Sequence, residues 1–177
     1  MKYLIIGGSK SGKSGVGERI ALSLNKNKVI YIATMKPYDT EDEKRIENHI
    51  KNRHGLGFVT LEKYRDLDEI LKDISEEDTI LIDSLTSLLT NEMFVENDII
   101  KTPSSKILHY LNEIMNKAKN VVIISDYIFN DAIEYDCITE NFKRELGKIN
   151  TELVRVCENV IECSFNNVKY HKAYEIK

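Results

Sequence analysis

The sequence predicts one α/β domain over residues 1–177: a mostly parallel sheet flanked by helices, with an antiparallel hairpin at the C-terminal end. Two observations carry that expectation. Short apolar runs bounded by turn-forming or charged residues alternate with amphipathic segments of helical length. The last two apolar runs are separated only by Phe165-Asn166-Asn167, which is far too short for a parallel crossover and suits a hairpin.

In chain order, residues 3–6 (YLII) read as the first strand, and residues 13–24 as an amphipathic helix that follows a glycine-rich turn. Residues 29–33 (VIYIA) form the second strand, and residues 42–53 and 66–74 two more helices. Residues 79–82 are the third strand, 84–95 a helix, and 96–103 the best loop candidate, followed by a helix over 104–118. Residues 121–124 make the fourth strand and 138–158 the longest helix. Residues 160–164 and 168–176 then form the hairpin. No repeat, low-complexity tract or linker divides the chain.

Composition narrows the function classes. A chain of 177 residues with 42% hydrophobic and 31% charged residues has room for a real core. Its net charge of −4 offers no general attraction to nucleic acid or to an anionic membrane. Cys137, Cys157 and Cys163 are odd in number and lack metal-site spacing, which reads as free thiols in a reducing compartment. No apolar stretch approaches the roughly 20 residues of a membrane span and no secretory signal precedes the first strand, so a cytoplasmic protein is expected.

The glycine-rich turn carries the first chemical signal. Gly7-Gly8-Ser9-Lys10-Ser11-Gly12-Lys13-Ser14 contains the full G-x-x-x-x-G-K-[ST] pattern between a strand and a helix, which makes the predicted fold similar to the phosphate-loop NTPases. The glycines let successive backbone N–H groups point inward at phosphate oxygens. Lys13 is expected to reach the β- and γ-phosphates. Ser14 is expected to ligate Mg²⁺ and to open a helix whose dipole favours the anion. A second acidic group is needed for the metal, and Asp83 supplies it after four apolar or β-favouring residues, at the carboxyl end of a strand. The same residue could also simply cap the following helix.

Residues 39–53 (DTEDEKRIENHIKNR) are the other distinctive stretch. On a helix Arg45, His49 and Arg53 fall at i, i+4 and i+8 along one stripe, beside an apolar stripe of Ile46 and Ile50. Arginine, histidine, arginine on one face can cradle a triphosphate with a nucleophile in its middle, because neutral imidazole attacks phosphorus and guanidinium groups stabilise the developing charge. A solvated charged face is the ordinary alternative for a lone histidine, and His54, His109 and His171 are assigned to it.

Taken together, "GGSKSGKS", "YIATMKPYDTEDEKRIENHIKNR" and "DSLTSLLTN" resemble the bifunctional adenosylcobinamide kinase/adenosylcobinamide-phosphate guanylyltransferase family. The shared elements are Gly7 to Ser14, Tyr31 to Thr34, the Arg45-Ile46-x-x-His49-x-x-x-Arg53 element, and Asp83, Leu85, Thr86 and Asn91. Fainter likeness runs through Phe142, Gly147 and Asn150 to the C-terminal NNVKYHK.

That resemblance implies two steps. ATP or GTP on Gly12, Lys13 and Ser14, with Mg²⁺ held at Ser14 and Asp83, would phosphorylate the aminopropanol hydroxyl of adenosylcobinamide. His49 would then attack the α-phosphorus of GTP, carry GMP as a phosphoramidate, and pass it to the cobinamide phosphate. Thr34, Arg45, Arg53 and Glu62 join the phosphate loop in the expected nucleotide-binding set. A homotrimer with sites between subunits is implied as well.

The family has Asn-Glu-Val-Gly after the fourth strand where this chain has Asp126, Tyr127, Ile128 and Phe129, and Arg-x-Phe-Arg-Asp where it has Glu140-Asn141-Phe142-Lys143-Arg144. Two other readings stay open: a phosphate-loop kinase for another small alcohol or nucleoside, and a nucleotide-gated binding module.

Overall fold

The computed structural model describes residues 1–37, 40–41, 47, 51, 53, 55–96, 98–129 and 131–173. Its nine strands among the described residues are β1 (Lys2–Gly7), β2 (Val29–Ala33), β3 (Phe58–Glu62), β4 (Thr79–Asp83), β5 (Phe94–Val95), β6 (Asp98–Ile99), β7 (Asn120–Asp126), β8 (Asn159–Ser164) and β9 (Asn167–Lys172). Seven of them form one sheet in the order β3-β2-β4-β7-β1-β8-β9. Each neighbouring pair from β3 to β8 is parallel, and β9 returns antiparallel to β8 as the expected hairpin.

Side chains alternate across this sheet with period two, and both faces are apolar. Leu4, Ile30, Ile32, Ile80, Ile82, Val121 and Ile123 face one core cluster. That cluster is completed by three helices, Leu85–Met93, Ser104–Lys117 and Cys137–Val156. Ile5, Val29, Tyr31, Leu81, Val122 and Ile124 face the other cluster, beneath the helix Lys13–Leu24. In chain order these helices are α1 (Lys13–Leu24), α2 (Leu85–Met93), α3 (Ser104–Lys117) and α4 (Cys137–Val156). Gly17 of α1 lets that helix sit directly on the sheet, since a Cβ there would come within 2.8 Å of Ile124 Cδ1.

Four expectations need correction. Phe58–Glu62 forms an edge strand that the apolar pattern does not announce. The 66–74 segment is a 3₁₀ helix over Leu67–Asp73, reached through a left-handed Asp66 with φ 53°, and not an α-helix. The helix expected over 84–95 ends at Met93; β5 instead pairs antiparallel with β6, which falls inside the expected 96–103 loop. Strand β9 ends at Lys172, with Ala173 already outside it, and residues 174–176 of the expected strand lie outside the described residues. Of the helix expected over 42–53, Glu47, Lys51 and Arg53 are helical, with Lys51 paired to Glu47 at 3.5 Å. Arg45, His49 and His54 lie outside the described residues.

No helix among the described residues is long and apolar enough to cross a membrane.

Candidate active site

The parallel sheet places the ends of β1, β4 and β7 along one edge, with β7 between the other two. Gly7 and Asp126 are register partners there. The loop leaving β1 is held by local packing that requires its glycines. A Cβ on Gly7 would lie 2.7 Å from the Cys163 carbonyl oxygen. Gly12 takes φ 89° as the N-cap of α1, and a Cβ there would collide with Asn166 Oδ1. Asn166, at the tip of the β8–β9 hairpin, donates its backbone N–H to Ser11 O at 3.1 Å, so the hairpin buttresses the loop from outside.

Lys13 Nζ donates to Gly8 O at 3.1 Å and pairs with Asp126 Oδ1 at 2.6 Å. A cavity of about 550 Å³ opens beside them, lined by Lys10, Ser11, Gly12, Lys13, Ser14, Gly15, Met35 and Asp126. The helix N-terminus and the ammonium make this an anion site. Gly7 is buried in the sheet edge, Gly8 is half-buried and Ser9 exposed; none of the three lines this cavity.

A smaller cavity of about 130 Å³ shares Ser14 and Met35 with the first and is also lined by Tyr31, Ala33, Arg53, Asp83, Ser84 and Ser87. The Tyr31 hydroxyl donates to Asp83 Oδ2 at 2.8 Å. Burial, and then the Asp83 charge, push the Tyr31 phenol far above its ordinary range, so it stays a donor. The Arg53 guanidinium lies 3.6 Å from the centre of the Tyr31 ring, and its Nη1 is 3.4 Å from Glu18 Oε1 on α1. Arg53 is 4% exposed, so its side chain does not lie on an open wet face as the stripe of charges would imply.

Other expected residues act as braces. Thr34 is fully buried; its hydroxyl donates to Ser84 O at 2.6 Å and its N–H to Asp83 O at 3.2 Å. It therefore holds the Asp83 corner and lines neither cavity. Asn91 Nδ2 donates to Thr34 O at 2.8 Å and Tyr64 O at 3.0 Å. Thr86 Oγ1 accepts from the Asp126 N–H at 3.1 Å, fixing the end of β7. Ser84, the residue after Asp83, caps α2, its hydroxyl accepting from Ser87 N at 3.4 Å. Glu62 is exposed at the end of β3, accepts from the Tyr64 hydroxyl at 2.9 Å, and lines neither cavity.

Ser14 and Asp83 present two hard oxygen ligands to one small cavity, a donor set that suits Mg²⁺, which keeps several waters and needs few carboxylates.

Two residues at the site carry no motif of their own. Asp126 stands at the carboxyl end of a strand, the same signal that selects Asp83. Glu18 lies four residues after Ser14, on the same face of α1. A groove of about 490 Å³ follows Asp126, lined by Tyr127, Ile128, Asp131, Tyr135, Thr139, Phe142 and Lys143. In it Lys143 pairs with Asp131 at 3.2 Å, and the Tyr135 hydroxyl donates to Asp131 at 2.9 Å. Phe129 packs 3.7 Å from the position a Cβ on Gly147 would take, so the small residue on α4 accommodates the aromatic ring.

A sequence model of the family described as cobinamide kinase / cobinamide phosphate guanyltransferase matches residues 3–165. The chain is 27% identical over 172 residues to the bifunctional adenosylcobalamin biosynthesis protein CobU of Salmonella typhimurium, covering 90% of this chain and 93% of that protein. It is 28% identical over 162 residues to the bifunctional adenosylcobalamin biosynthesis protein CobP of Pseudomonas aeruginosa, with coverage of 90% and 91%. Among solved structures, the flagellar accessory protein FlaH from Methanocaldococcus jannaschii superposes with a TM-score of 0.52 at 15% identity, covering 97% of this chain and 78% of that one. A solved ATPase domain gives 0.58 at 12% identity, with 98% and 77% covered. At such identities the two structures establish a shared fold alone.

Proposed function

Because the chain belongs to the cobinamide kinase / cobinamide phosphate guanyltransferase family, we propose that its two adjoining cavities carry out two consecutive transfers on one acceptor. The observation that carries this reading is the cavity shared by Ser14 of the phosphate loop and Arg53 of the Arg45-His49-Arg53 element. Residues expected for phosphorylation and for GMP transfer thus border a single cleft.

In the first step the acceptor's hydroxyl oxygen attacks the γ-phosphorus of ATP or GTP. The bond from that phosphorus to the β-bridging oxygen breaks, the nucleoside diphosphate leaves with the electron pair, and the hydroxyl proton passes to solvent. Lys13 offsets charge on the β- and γ-oxygens as it exchanges Asp126 for phosphate. Asp83, oriented by Tyr31, and Ser14 would hold Mg²⁺, whose contribution is to neutralise phosphate charge. Asp126 ends the strand that leads into the Tyr127–Lys143 groove, which supports assigning that groove to the acceptor. Its aromatic walls and the Lys143 ammonium suit a large amphipathic acceptor such as adenosylcobinamide.

In the second step an imidazole nitrogen of His49 attacks the α-phosphorus of GTP and pyrophosphate leaves. A phosphate oxygen of the phosphorylated acceptor then displaces the histidine, giving adenosylcobinamide-GDP. Arg53 serves this step by facing the shared cavity. A homotrimer in the cytoplasm belongs to the same reading.

The test is incubation with α-labelled and γ-labelled GTP followed by acid and base treatment. An α-label retained on protein, acid-labile, base-stable and absent from His49→Asn, is the expected result. No protein-bound α-label, with phosphorylation of the acceptor intact, would reduce the protein to a kinase. The replacement of Asn-Glu-Val-Gly by Asp126-Tyr127-Ile128-Phe129 favours that second reading and would fit a different small alcohol.

A further inference from the structure

A guanidinium as buried as that of Arg53 requires a carboxylate within reach, because an uncompensated buried charge is strongly unfavourable. The partner comes from the phosphate-loop helix: Glu18 Oε1 is 3.4 Å from Arg53 Nη1. Below the guanidinium lies the Tyr31 ring, and the Tyr31 hydroxyl ends on Asp83. Glu18, Arg53, Tyr31 and Asp83 therefore form one continuous chain of contacts from α1 to β4. Glu18 itself lines neither cavity, so whatever it does for the chemistry it does through Arg53.

We infer that Glu18 is a positioning residue for GMP transfer: it latches the Arg53 guanidinium onto the phosphate-loop helix. The inference rests on the two-transfer reading above. Removing the carboxylate leaves the guanidinium buried without the counter-charge it has among the described residues. Arg53 then turns toward solvent, and its part of the wall of the shared cavity is lost. Phosphorylation rests on Lys13, Ser14 and Asp83; Asp83 keeps its hydrogen bond from the Tyr31 hydroxyl and Glu18 lines neither cavity, so this step is spared.

The test compares Glu18→Ala and Glu18→Gln with wild type in both half-reactions. Glu18→Ala is expected to lower kcat for the α-labelled protein adduct by roughly ten- to a hundredfold while KM for GTP stays within about threefold. Phosphorylation should also stay within about threefold. Glu18→Gln keeps an acceptor oxygen and should recover much of the loss. Modification by phenylglyoxal, mapped by mass spectrometry, should reach Arg53 faster in Glu18→Ala than in wild type. Adduct formation at the wild-type rate in both variants would overturn the inference. So would an equal fall of both activities together with melting temperature, which is what a purely structural role gives. A wild-type protein that forms no adduct would overturn the GMP-transfer reading and this inference with it, whereas a normal wild-type adduct with unaffected variants would overturn the inference alone.

Discussion

Lys13 Nζ lies 2.6 Å from Asp126 Oδ1, so the ammonium proposed to bind a triphosphate is paired with a carboxylate on the neighbouring strand. A triphosphate entering the 550 Å³ cavity must take the lysine from Asp126 and then sit beside a negative charge. Asp126→Asn keeps the size and hydrogen-bonding capacity of the side chain and removes that charge. It is expected to lower the Kd for nucleotide by roughly three- to tenfold, about 0.7 to 1.4 kcal/mol, in line with a partly solvated pair. Titration calorimetry checks this; unchanged or weaker binding would mean that the carboxylate helps to hold the lysine in place.

Lys13→Ala tests the loop itself. The pair is largely buried, at 13% and 26% exposure, but Asp126 keeps access to water once the lysine is gone, so the melting temperature should fall by only a few degrees, about 1 to 2 kcal/mol. Loss of a charge aimed at developing phosphate charge should cost about 2.7 to 4 kcal/mol, roughly a hundred- to a thousandfold fall in phosphorylation. Near-wild-type turnover in a folded variant would refute the assignment.

Cysteine chemistry gives a third test. Cys137 is exposed, whereas Cys157 and Cys163 are buried. Burial pushes the Cys157 thiol up to about 12 and moves Cys163 in the same direction. A thiol whose folded value is raised contributes stability that is full below its ordinary value of 9.0 and is lost as pH rises through the folded value, because the unfolded chain ionises first. One thiol is expected to react with a thiol reagent at neutral pH, and all three in denaturant. Denaturation midpoints should fall as pH rises from about 9 to about 12, and Cys157→Ala should flatten that fall. Three fast thiols in the native protein would contradict the packing.

Which features are legible in the sequence follows from the range of the signals. Helix α1 can be bounded at Lys13 and Leu24 because a contiguous motif and an amphipathic run define it. Strand β3 escapes because an edge strand is only half-buried and mixes Thr60 and Glu62 with Phe58, Val59 and Leu61. The 3₁₀ segment reads as α-helical because Leu67, Ile70, Leu71 and Ile74 fall at the i, i+3, i+4, i+7 spacing of an amphipathic α-helix. At the site, the phosphate loop is readable since its chemistry lies on adjacent residues. Asp126 ends a strand just as Asp83 does, but its pairing with Lys13 arises from β7 lying between β1 and β4 in the sheet. The spacing of Arg45, His49 and Arg53 defines a common face but cannot say which way that face packs. Tyr31 and Glu18, brought to Arg53 only by the fold, decide where the Arg53 guanidinium lies.

That packing alters what an arginine-to-lysine change should do. Arg53→Lys keeps one positive charge. It loses the planar group that stacks on Tyr31 at 3.6 Å and the fork that reaches Glu18 at 3.4 Å. GMP transfer should slow by roughly ten- to a thousandfold, the equivalent of about 1.4 to 4 kcal/mol of transition-state stabilisation. Because the site is buried, stability should fall too, by about 1 to 3 kcal/mol, which for a chain of this size lowers the melting temperature by about 2 to 10 °C. Tyr31→Phe separates the two contributions. It preserves the ring under the guanidinium but removes the hydrogen bond to Asp83, and should cost about 1 kcal/mol with a smaller effect on GMP transfer than Arg53→Lys. Calorimetric melting and adduct kinetics on both variants check the pair. Wild-type stability in Arg53→Lys would show that the guanidinium is not held by Tyr31 and Glu18, and wild-type transfer would remove Arg53 from the chemistry altogether.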